Sequence, residues 1–440
     1  MKICDILTKS LLLLSIPKKM AFCPKKVTLF PRRGFLSHST GGGGVMMRSF
    51  VDEVTSWLNE TNISYEHVDI DITPHNVIGL GKMDDYNYKV GLHLLPVPTP
   101  RASTSTTNSS SSPPNSPPPS LLSKRLTDDT NLPFDIIVHL HQDIWINKHD
   151  IVKARLNAKL GRVKQRWYAR QTKAVRIHLS TAMDFLEANH LWGATRAKFN
   201  YGLMSGDELV AVATFSPRRH VERGLETNRP FRSHELIRYC STKDGHVIGG
   251  ITKLIAAFCR DFAPDDLVTC IDRDWGDGSG WTSIGFEKVS VMPPLIMSVG
   301  QSENSIDHWT RYYLVGAGVG VGTSNSSEGR KGRPGINIQT FNELNKTNNS
   351  HEAKCILERN GLFPVYDAGV ERRMLVTKGT KLDKMCMDRR NELEIDDIDS
   401  KTKSILELWQ MSTPSFPDQY YSPNNMGIDA LLEDAASSDT

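Results

Sequence analysis

The chain has 440 residues, enough for roughly two or three domains, and its formal net charge of +3 indicates no class of partner by itself. Hydrophobic residues make up only 39%, so part of a chain this long is expected to lack a packed core. The seven cysteines show no Cys-x-x-Cys spacing, which argues against a disulfide framework and a zinc site and favours buried free thiols. No apolar run reaches the ~18 residues of a transmembrane helix, so no membrane partner is expected.

Residues 1–44 are basic, contain several serines and have Asp5 as their one acidic residue. This composition is typical of an organelle transit peptide, and residues 20–24 (Met-Ala-Phe-Cys-Pro) resemble the Ala-Phe-x-Pro junction of bipartite plastid signals. We therefore expect a mitochondrial or plastid location. The alternatives are a disordered basic tail, or a reading frame extended upstream of Met20.

Residues 45–177 are predicted to form a small α/β region. Helical spacing of apolar residues or alternation predicts, in chain order, a helix over 46–59, strands over 63–72, 88–96 and 134–140, and a helix over 149–160. Residues 98–131 interrupt this region as an insertion that is rich in Ser, Thr, Pro and Asn up to residue 123. Such a segment buries too little apolar surface to offset the entropy of ordering, so we expect it to be disordered.

The basic segment, residues 148–176, contains ten Lys or Arg residues and a single acid, Asp150, with Trp167 and Tyr168 among them. This pattern suits the phosphate backbone of DNA, with the aromatic rings available for stacking. The predicted nucleic-acid contacts are Lys159, Arg162, Lys164, Arg166 and Arg170, together with Arg273 further along the chain. The alternative is a solvated helix face whose charge is balanced by acids elsewhere in the fold.

Residues 178–376 are predicted to form a mixed sheet with flanking helices. The expected elements are a helix over 180–190, a hairpin of strands 199–203 and 209–215, a strand–turn–helix–strand unit across 235–297, a helix over 351–360, and a closing hairpin of strands 363–367 and 373–376. A Gly/Ser-rich stretch at about 316–348 is expected to be a flexible insertion. Residues 377–440 are expected to be a mostly disordered tail.

The unit across 235–297 carries the turn with the clearest chemical meaning. Apolar residues of its helix recur at i, i+3, i+4 and i+7 from Ile251, which predicts one buried face. The turn before this helix consists of His246, Val247, Ile248, Gly249 and Gly250. Backbone N–H groups at a helix N-terminus can hold a phosphate, so these five residues form the predicted cofactor-binding turn.

The order helix, hairpin, strand, glycine turn, helix, strand, short helix, strand resembles the GNAT acyltransferase fold. Residues 280–286 (Gly-Trp-Thr-Ser-Ile-Gly-Phe) resemble a segment that closes many GNAT domains. The resemblance implies an α/β (α+β) fold, acetyl-CoA or another acyl-CoA as cofactor, and a Gln/Arg-x-x-Gly-x-Gly/Ala turn that holds its pyrophosphate. Here Gly249 matches the first glycine, His246 replaces the Gln/Arg, and Ile251 stands where the family has its second small residue.

A second resemblance extends over about residues 135–376. The segments that carry it are residues 144–177, 185–195, 202–216, 235–241, 271–289 and 361–376. In this order they resemble bacteriophage proteins, described as homing-endonuclease-like, that join a PD-(D/E)xK or very-short-patch-repair-type nuclease to a GNAT-like domain. The resemblance implies DNA as a partner.

The nuclease half departs from the pattern of that phage group. Early acids of the family are replaced by Val90-Gly91-Leu92 ahead of Pro96, and a Phe-Glu-Asp-Glu-Trp segment has become residues 141–145, which keep only Asp143. Nuclease chemistry needs clustered carboxylates to hold Mg²⁺. We therefore expect a degenerate nuclease-like region without a metal site.

Glu235 and Asp272 are the candidate catalytic residues, because both lie near the ends of neighbouring predicted strands. A carboxylate there can act as the general base that takes a proton from an amine. The alternative for Asp272 is a structural role, capping the following turn and pairing with Arg273. The leading hypothesis is a GNAT-like protein, either an acyl-CoA-dependent N-acyltransferase or a non-catalytic descendant of one. The alternative is a DNA-binding protein derived from a phage-type endonuclease.

Overall fold

The computed structural model describes residues 49–70, 76–84, 87–97, 119–219, 232–292, 294, 296–302, 305–313, 336, 338–347, 349–377, 379–384 and 386. The predicted targeting segment 1–44, and most of the predicted insertions and C-terminal tail, lie outside the described residues. The described residues form a mixed α+β protein with several sheets, and all of them belong to one compact unit. The expected mixture of helices and mixed sheets is confirmed.

The described helices are α1 (Phe50–Glu60), α2 (Pro119–Asp128), α3 (Gln142–Asn147), α4 (His149–Lys159), α5 (Leu179–Asn189), α6 (Gly250–Phe262), α7 (Ser279–Thr282), α8 (Ile338–Leu344) and α9 (Ser350–Arg359). The first eight strands are β1 (Tyr65–Val68), β2 (Val77–Lys82), β3 (Tyr88–Leu95), β4 (Phe134–His141), β5 (Gln165–Tyr168), β6 (Lys173–Arg176), β7 (Phe199–Ser205) and β8 (Glu208–Phe215). The remaining strands are β9 (Ser233–Ser241), β10 (Gly245–Ile248), β11 (Asp266–Asp272), β12 (Glu287–Met292), β13 (Ile296–Ser302), β14 (Ser305–Tyr313), β15 (Leu362–Tyr366) and β16 (Val370–Val376).

The first sheet has the order β1-β2-β3-β4. Its first three strands run antiparallel, whereas β3 and β4 are parallel and are connected through α2. α1, α3 and α4 contribute apolar side chains to the core of this sheet, where the ring centroids of Trp57 on α1 and Trp145 on α3 lie 5.6 Å apart. α1 begins with a reciprocal cap in which Ser49 accepts the Asp52 N–H and Asp52 accepts the Ser49 N–H.

The second sheet has seven strands in the order β12-β16-β11-β9-β8-β7-β6. β9 and β11 are parallel, and the other described neighbours in this sheet are antiparallel. The parallel pair requires a crossover, which α6 provides. The apolar face of α6 covers the sheet, and the fully buried ring of Phe258 stacks on Phe215 with the centroids 4.1 Å apart.

Two smaller sheets complete the described structure. β5 and β10 form a parallel two-stranded ribbon that buries Trp167 and Val247 in the core of the seven-stranded sheet. β14, β13 and β15 form an antiparallel sheet in that order. The guanidinium group of Arg311 on β14 donates two hydrogen bonds, of 2.7 and 3.1 Å, to the buried carboxylate of Asp143 on α3, which fastens this sheet to the first one.

The structure corrects three predictions of chain organisation. The insertion predicted over 98–131 is folded at its end, because α2 buries Leu126 in a cluster with Ile137 of β4. The insertion predicted at about 316–348 likewise contains α8, whose Leu344 is fully buried. The predicted closing hairpin is absent among the described strands, because β15 pairs with β13 whereas β16 inserts between β11 and β12.

Candidate functional site

β9 and β11 separate along their length. Residues 233–236 of β9 pair with residues 266–269 of β11, and the pairing ends there. β9 continues beside β8 as far as Ser241, and β11 continues beside β16 as far as Asp272. Because each strand keeps its outer partner, a cavity of about 360 Å³ opens between their C-terminal halves. We call this cavity the cleft.

Asp272 lies at the open end of the cleft, at the last position of β11. Trp192 Nε1 donates a 2.8 Å hydrogen bond to its Oδ2, and the Asp274 N–H donates a 2.9 Å hydrogen bond to its Oδ1. Burial and the negative charge of Asp274 raise the pKa of Asp272 to about 6, against the opposing effect of these bonds and of Arg155. With a pKa of about 6, most Asp272 side chains are ionised at neutral pH. Each oxygen can accept a further hydrogen bond, so the carboxylate can take a proton from a bound group.

The turn that carries Asp272 is anchored on the first sheet. Asp274 is buried, its Oδ1 accepts the Ala368 N–H at 2.8 Å, and its main-chain oxygen accepts the His139 N–H at 2.8 Å. Its Oδ2 lies 3.3 Å from Nε2 of His141, whose pKa is lowered to about 4, mainly by burial. Burial raises the pKa of Asp274. The position of Asp272 therefore depends on β4, which belongs to a different sheet.

Glu235 lies at the other end of the cleft. It is 5% exposed, sits opposite Val268 in the paired part of the two strands, and its N–H donates a 2.8 Å hydrogen bond to Ser216 Oγ. Asp272 is four residues beyond Val268 on β11, which corresponds to about 13 Å along an extended strand. The two predicted catalytic carboxylates thus line one cleft but do not lie side by side.

α4 supplies two cations to the wall of the cleft, Arg155 and Lys159, which are one helical turn apart on the same face. The Arg155 guanidinium lies over the Trp275 ring, 5.0 Å from its centroid, and Trp275 itself is buried in the core of the first sheet. Burial, followed by the charge of Arg155, lowers the pKa of Lys159 to about 8. The predicted boundary at residue 177, between the first α/β region and the mixed-sheet region, is therefore crossed by side-chain contacts such as that of Arg155 with Trp275.

His190 also lines the cleft, next to Trp192. Its Nδ1 accepts the Trp192 N–H at 3.1 Å, so the proton of the neutral imidazole is on Nε2. Burial and the charges of Arg238 and Arg155 lower the pKa of His190 well below its usual value. At neutral pH it is therefore an uncharged hydrogen-bond donor at Nε2.

The predicted cofactor-binding turn is divided between two elements. His246, Val247 and Ile248 belong to β10, while Gly249 has a φ of 74° and begins α6 without a side-chain cap, followed by Gly250. Tyr239, which lines the cleft, packs closely against Gly250. A Cβ on Gly250 would lie 2.9 Å from Tyr239 Oη, so a larger residue at this position would require Tyr239 to move. Ile251 packs against the core of the seven-stranded sheet and is not among the cleft residues.

Four of the predicted nucleic-acid contacts are exposed, namely Arg162, Lys164, Arg166 and Arg170. These cations have different hydrogen-bond and ion-pair partners. Arg162 donates to Thr61 O at 2.8 Å, and Lys164 forms a 2.8 Å ion pair with Asp244. These exposed groups lie on a surface that already contains carbonyl and carboxylate partners.

Arg166 and Arg170 occupy the β5 side of that surface. Arg166 donates to Gly161 O at 3.2 Å. The Arg170 guanidinium lies 5.1 Å from the centroid of the Tyr168 ring. The remaining two predicted contacts lie elsewhere: Lys159 faces the cleft, and Arg273 is 5% exposed, donating to Ala368 O and pairing with Asp128.

Sequence reasoning did not find Arg155 or Trp192 as site residues. Arg155 was one of many cations in the basic segment, and its place in the cleft depends on how α4 packs beside Trp275. Trp192 is 80 residues from Asp272 in the chain, and nothing in its local pattern indicates that its indole N–H reaches that carboxylate. Both contacts arise only from tertiary structure.

Among the described residues, no group of three or more His, Cys, Asp or Glu side chains is arranged to hold a metal ion. None of the described helices has the length and apolar character needed to cross a membrane. A comparison of the sequence with models of known protein families found no match, and a comparison with curated proteins found none either.

Proposed function

We propose that the cleft binds an acyl-CoA and that the protein transfers the acyl group to an amine, with Asp272 as the general base. The observation that carries this proposal is that β9 and β11 separate after four residue pairs, with a carboxyl group whose pKa is about 6 at the open end of the gap. An extended pantetheine-like chain fits a gap between two strands whose facing edges are unpaired. Such edges offer backbone N–H and C=O groups to it.

The strand order supports a GNAT-like interpretation of the second sheet. From the β6 edge the strands are β6, β7, β8, β9 and β11, followed by β16 and then β12. The seven strands of this sheet therefore lie in chain order, except that the last strand lies between the fifth and the sixth. β16 is the last strand, and it inserts between β11 and β12. This order, with its parallel central pair of fourth and fifth strands, is the one expected of the GNAT resemblance.

The turn at the start of α6 has the features of a phosphate-binding turn. Gly249 is exposed, its left-handed φ suits glycine, and the first turn of α6 contains no acidic residue. His246 and Arg166 are paired neighbours on the adjoining ribbon and are both exposed. These donors suit a pyrophosphate, and Tyr239 connects the turn to the cleft, so the residues present fit an acyl-CoA.

Acyl transfer from a thioester to an amine requires a group that removes the proton of the amine. An amine attacks a thioester only as the neutral species, and Asp272 can take its proton because the pKa of this carboxyl is about 6. His190 presents an N–H, and Arg155 keeps a positive charge beside the carboxylate. Glu235, at the closed end, lies too far along the strands to share this role with Asp272.

Binding is tested by thermal unfolding of the full chain with and without acetyl-CoA. Cys270→Phe places a large ring in the cleft, and Cys355→Phe places the same ring on an exposed position of α9 as the matched control. Millimolar acetyl-CoA is expected to raise the melting temperature of the wild type and of Cys355→Phe, but not of Cys270→Phe. No shift in the wild type, or an equal shift in Cys270→Phe, would contradict the proposal.

A second candidate function, DNA binding, is favoured by the outer face of the β5–β10 ribbon. Arg166 and Tyr168 project from this face, and their ladder partners on β10 are His246 and Ile248. Tyr168 is 45% exposed and lies beneath the Arg170 guanidinium. An exposed ring between cations is an arrangement on which bases of single-stranded DNA can stack while phosphates contact the arginines.

DNA binding is tested by fluorescence anisotropy with single-stranded and duplex oligonucleotides over a range of salt concentrations. The double variant Arg166→Gln/Arg170→Gln is expected to weaken binding and to lower its salt dependence by about two charges. Arg260→Gln is the control, because Arg260 is exposed near the opposite end of α6. Binding that is unchanged in the double variant would exclude the ribbon as the contact surface.

A further inference from the structure

We propose that Lys159 is itself an acyl acceptor, so that the protein acylates its own cleft lysine. This inference rests on the proposed function. It assigns a modification site, with an acyl thioester as donor and the ε-amine of Lys159 as nucleophile. Lys159 and Asp272 line the same cleft, which gives an amine of the protein itself access to the cavity that also holds the carboxylate proposed as general base.

The environment of Lys159 differs from that of the lysines on the neighbouring surface. It is the last residue of α4, and its side chain is directed into the cleft that Asp272 and Asp277 also line. Among the described residues, none forms a hydrogen bond or ion pair with its Nζ. Lys164, by contrast, lies on the surface and is paired with Asp244 at 2.8 Å. Lys159 is thus partly desolvated but not held by a fixed partner.

Desolvation also makes Lys159 a nucleophile at neutral pH. Burial and the charge of Arg155 lower its pKa to about 8, while Asp277 and Asp272 oppose this shift. At about pH 7.5, roughly a quarter of such side chains are neutral, compared with about 0.1% for a lysine with an ordinary pKa of ~10.4. The fraction of neutral amine is therefore on the order of two hundred times larger than at the surface.

The transfer step balances without a further reactant. The Nζ lone pair attacks the thioester carbonyl carbon, a C–N bond forms, and the C–S bond breaks. Its electron pair leaves with the sulfur as a thiolate. The excess proton on nitrogen passes to Asp272 and then to the thiolate, which leaves an amide on Lys159 and a free thiol. The amide is uncharged, so acylation abolishes the charge of the protonated amine beside Arg155.

The test incubates the full chain with isotopically labelled acetyl-CoA and follows each lysine by peptide mass spectrometry. Acetyl-Lys159 is expected to accumulate with a rate that does not depend on protein concentration, as an intramolecular step requires. The rate is expected to rise with pH and to level off above about pH 8, and to fall roughly a hundredfold in Asp272→Asn. Lys198, an exposed lysine outside the cleft, reports the chemical background.

Three results would overturn the inference. The first is acetylation of Lys159 at the same rate as Lys198, which would be background chemistry. The second is an undiminished rate at Lys159 in Asp272→Asn. The third is an unmodified Lys159 in protein that binds acetyl-CoA and acetylates an added amine, and in this case the proposed function stands while the inference fails. If acetyl-CoA does not bind, both fail together.

Discussion

Replacing Asp272 with Asn should make the protein more stable and less active at neutral pH. The pKa of Asp272 is raised from 3.8 to about 6, mainly by burial, so the folded state holds the proton more tightly than the unfolded chain. The contribution of Asp272 to the stability of the wild type is therefore lost as pH rises from about 4 to about 6. Two pKa units correspond to about 3 kcal/mol, all of which is lost above about pH 6.

Asparagine removes this charge but also removes one of the two acceptor oxygens. The Trp192 Nε1–H or the Asp274 N–H then loses its partner, at a cost of about 1–2 kcal/mol. The net gain expected at about pH 7.5 is therefore about 1–2 kcal/mol in the free energy of unfolding. At about pH 4.5 the folded wild type still holds this proton, but the unfolded chain has mostly lost it, so about 1 kcal/mol of the Asp272 contribution is already gone. The variant should therefore be between equally stable and about 1 kcal/mol less stable than the wild type at this pH.

Urea unfolding of both proteins at the two pH values measures these differences. Asp207→Asn, in the exposed turn between β7 and β8, serves as the control and should give only a small difference in the free energy of unfolding. The acyl-transfer rate of Asp272→Asn should fall about 10²–10⁴-fold while acetyl-CoA still binds. A stability difference independent of pH would refute the buried-charge argument. An undiminished rate would refute the assignment of the base.

Three further positions test the packing of the sheets and helices. Phe258→Ala should cost about 3–5 kcal/mol in urea unfolding, because the ring is fully buried in the core. Gly278→Ala should destabilise the protein by at least about 1–2 kcal/mol, because φ is 73° there and a Cβ would lie 2.6 Å from Arg373 Nε; an unchanged unfolding midpoint would contradict this. Arg311→Met should cost about 3–5 kcal/mol by leaving the Asp143 carboxylate buried without its cation, whereas Arg311→Met/Asp143→Leu should cost much less.

The secondary structure of the strongly patterned segments could be predicted from sequence. The helix predicted over 149–160 is α4 (His149–Lys159), and the strand predicted over 134–140 is β4 (Phe134–His141). The hairpin around Gly206 is also present, as β7 and β8, and the glycine has a φ of 59°. In each case the local periodicity agrees with the face that tertiary packing buries.

Elements whose stability comes from distant partners were missed or misplaced. β10 was predicted as a plain turn, because residues 245–248 become a strand only through pairing with β5, some 80 positions earlier in the chain. β15 and β16 were predicted as a closing hairpin, yet Gly369, with a φ of 85°, lies where the chain passes from one sheet to another. Sequence spacing does not encode which edge a strand will join.

The two halves of the chain depend on each other at the cleft. At the positions of β3 where the phage resemblance places nuclease acids, Val90 and Leu92 are fully buried in an apolar core. The same region nevertheless supplies Arg155 and Lys159 to the cleft wall, and β4 holds the turn that positions Asp272. The first sheet and its helices are therefore structurally required at the cleft, because the seven-stranded sheet alone would lack one wall of the cleft and the support of its candidate base.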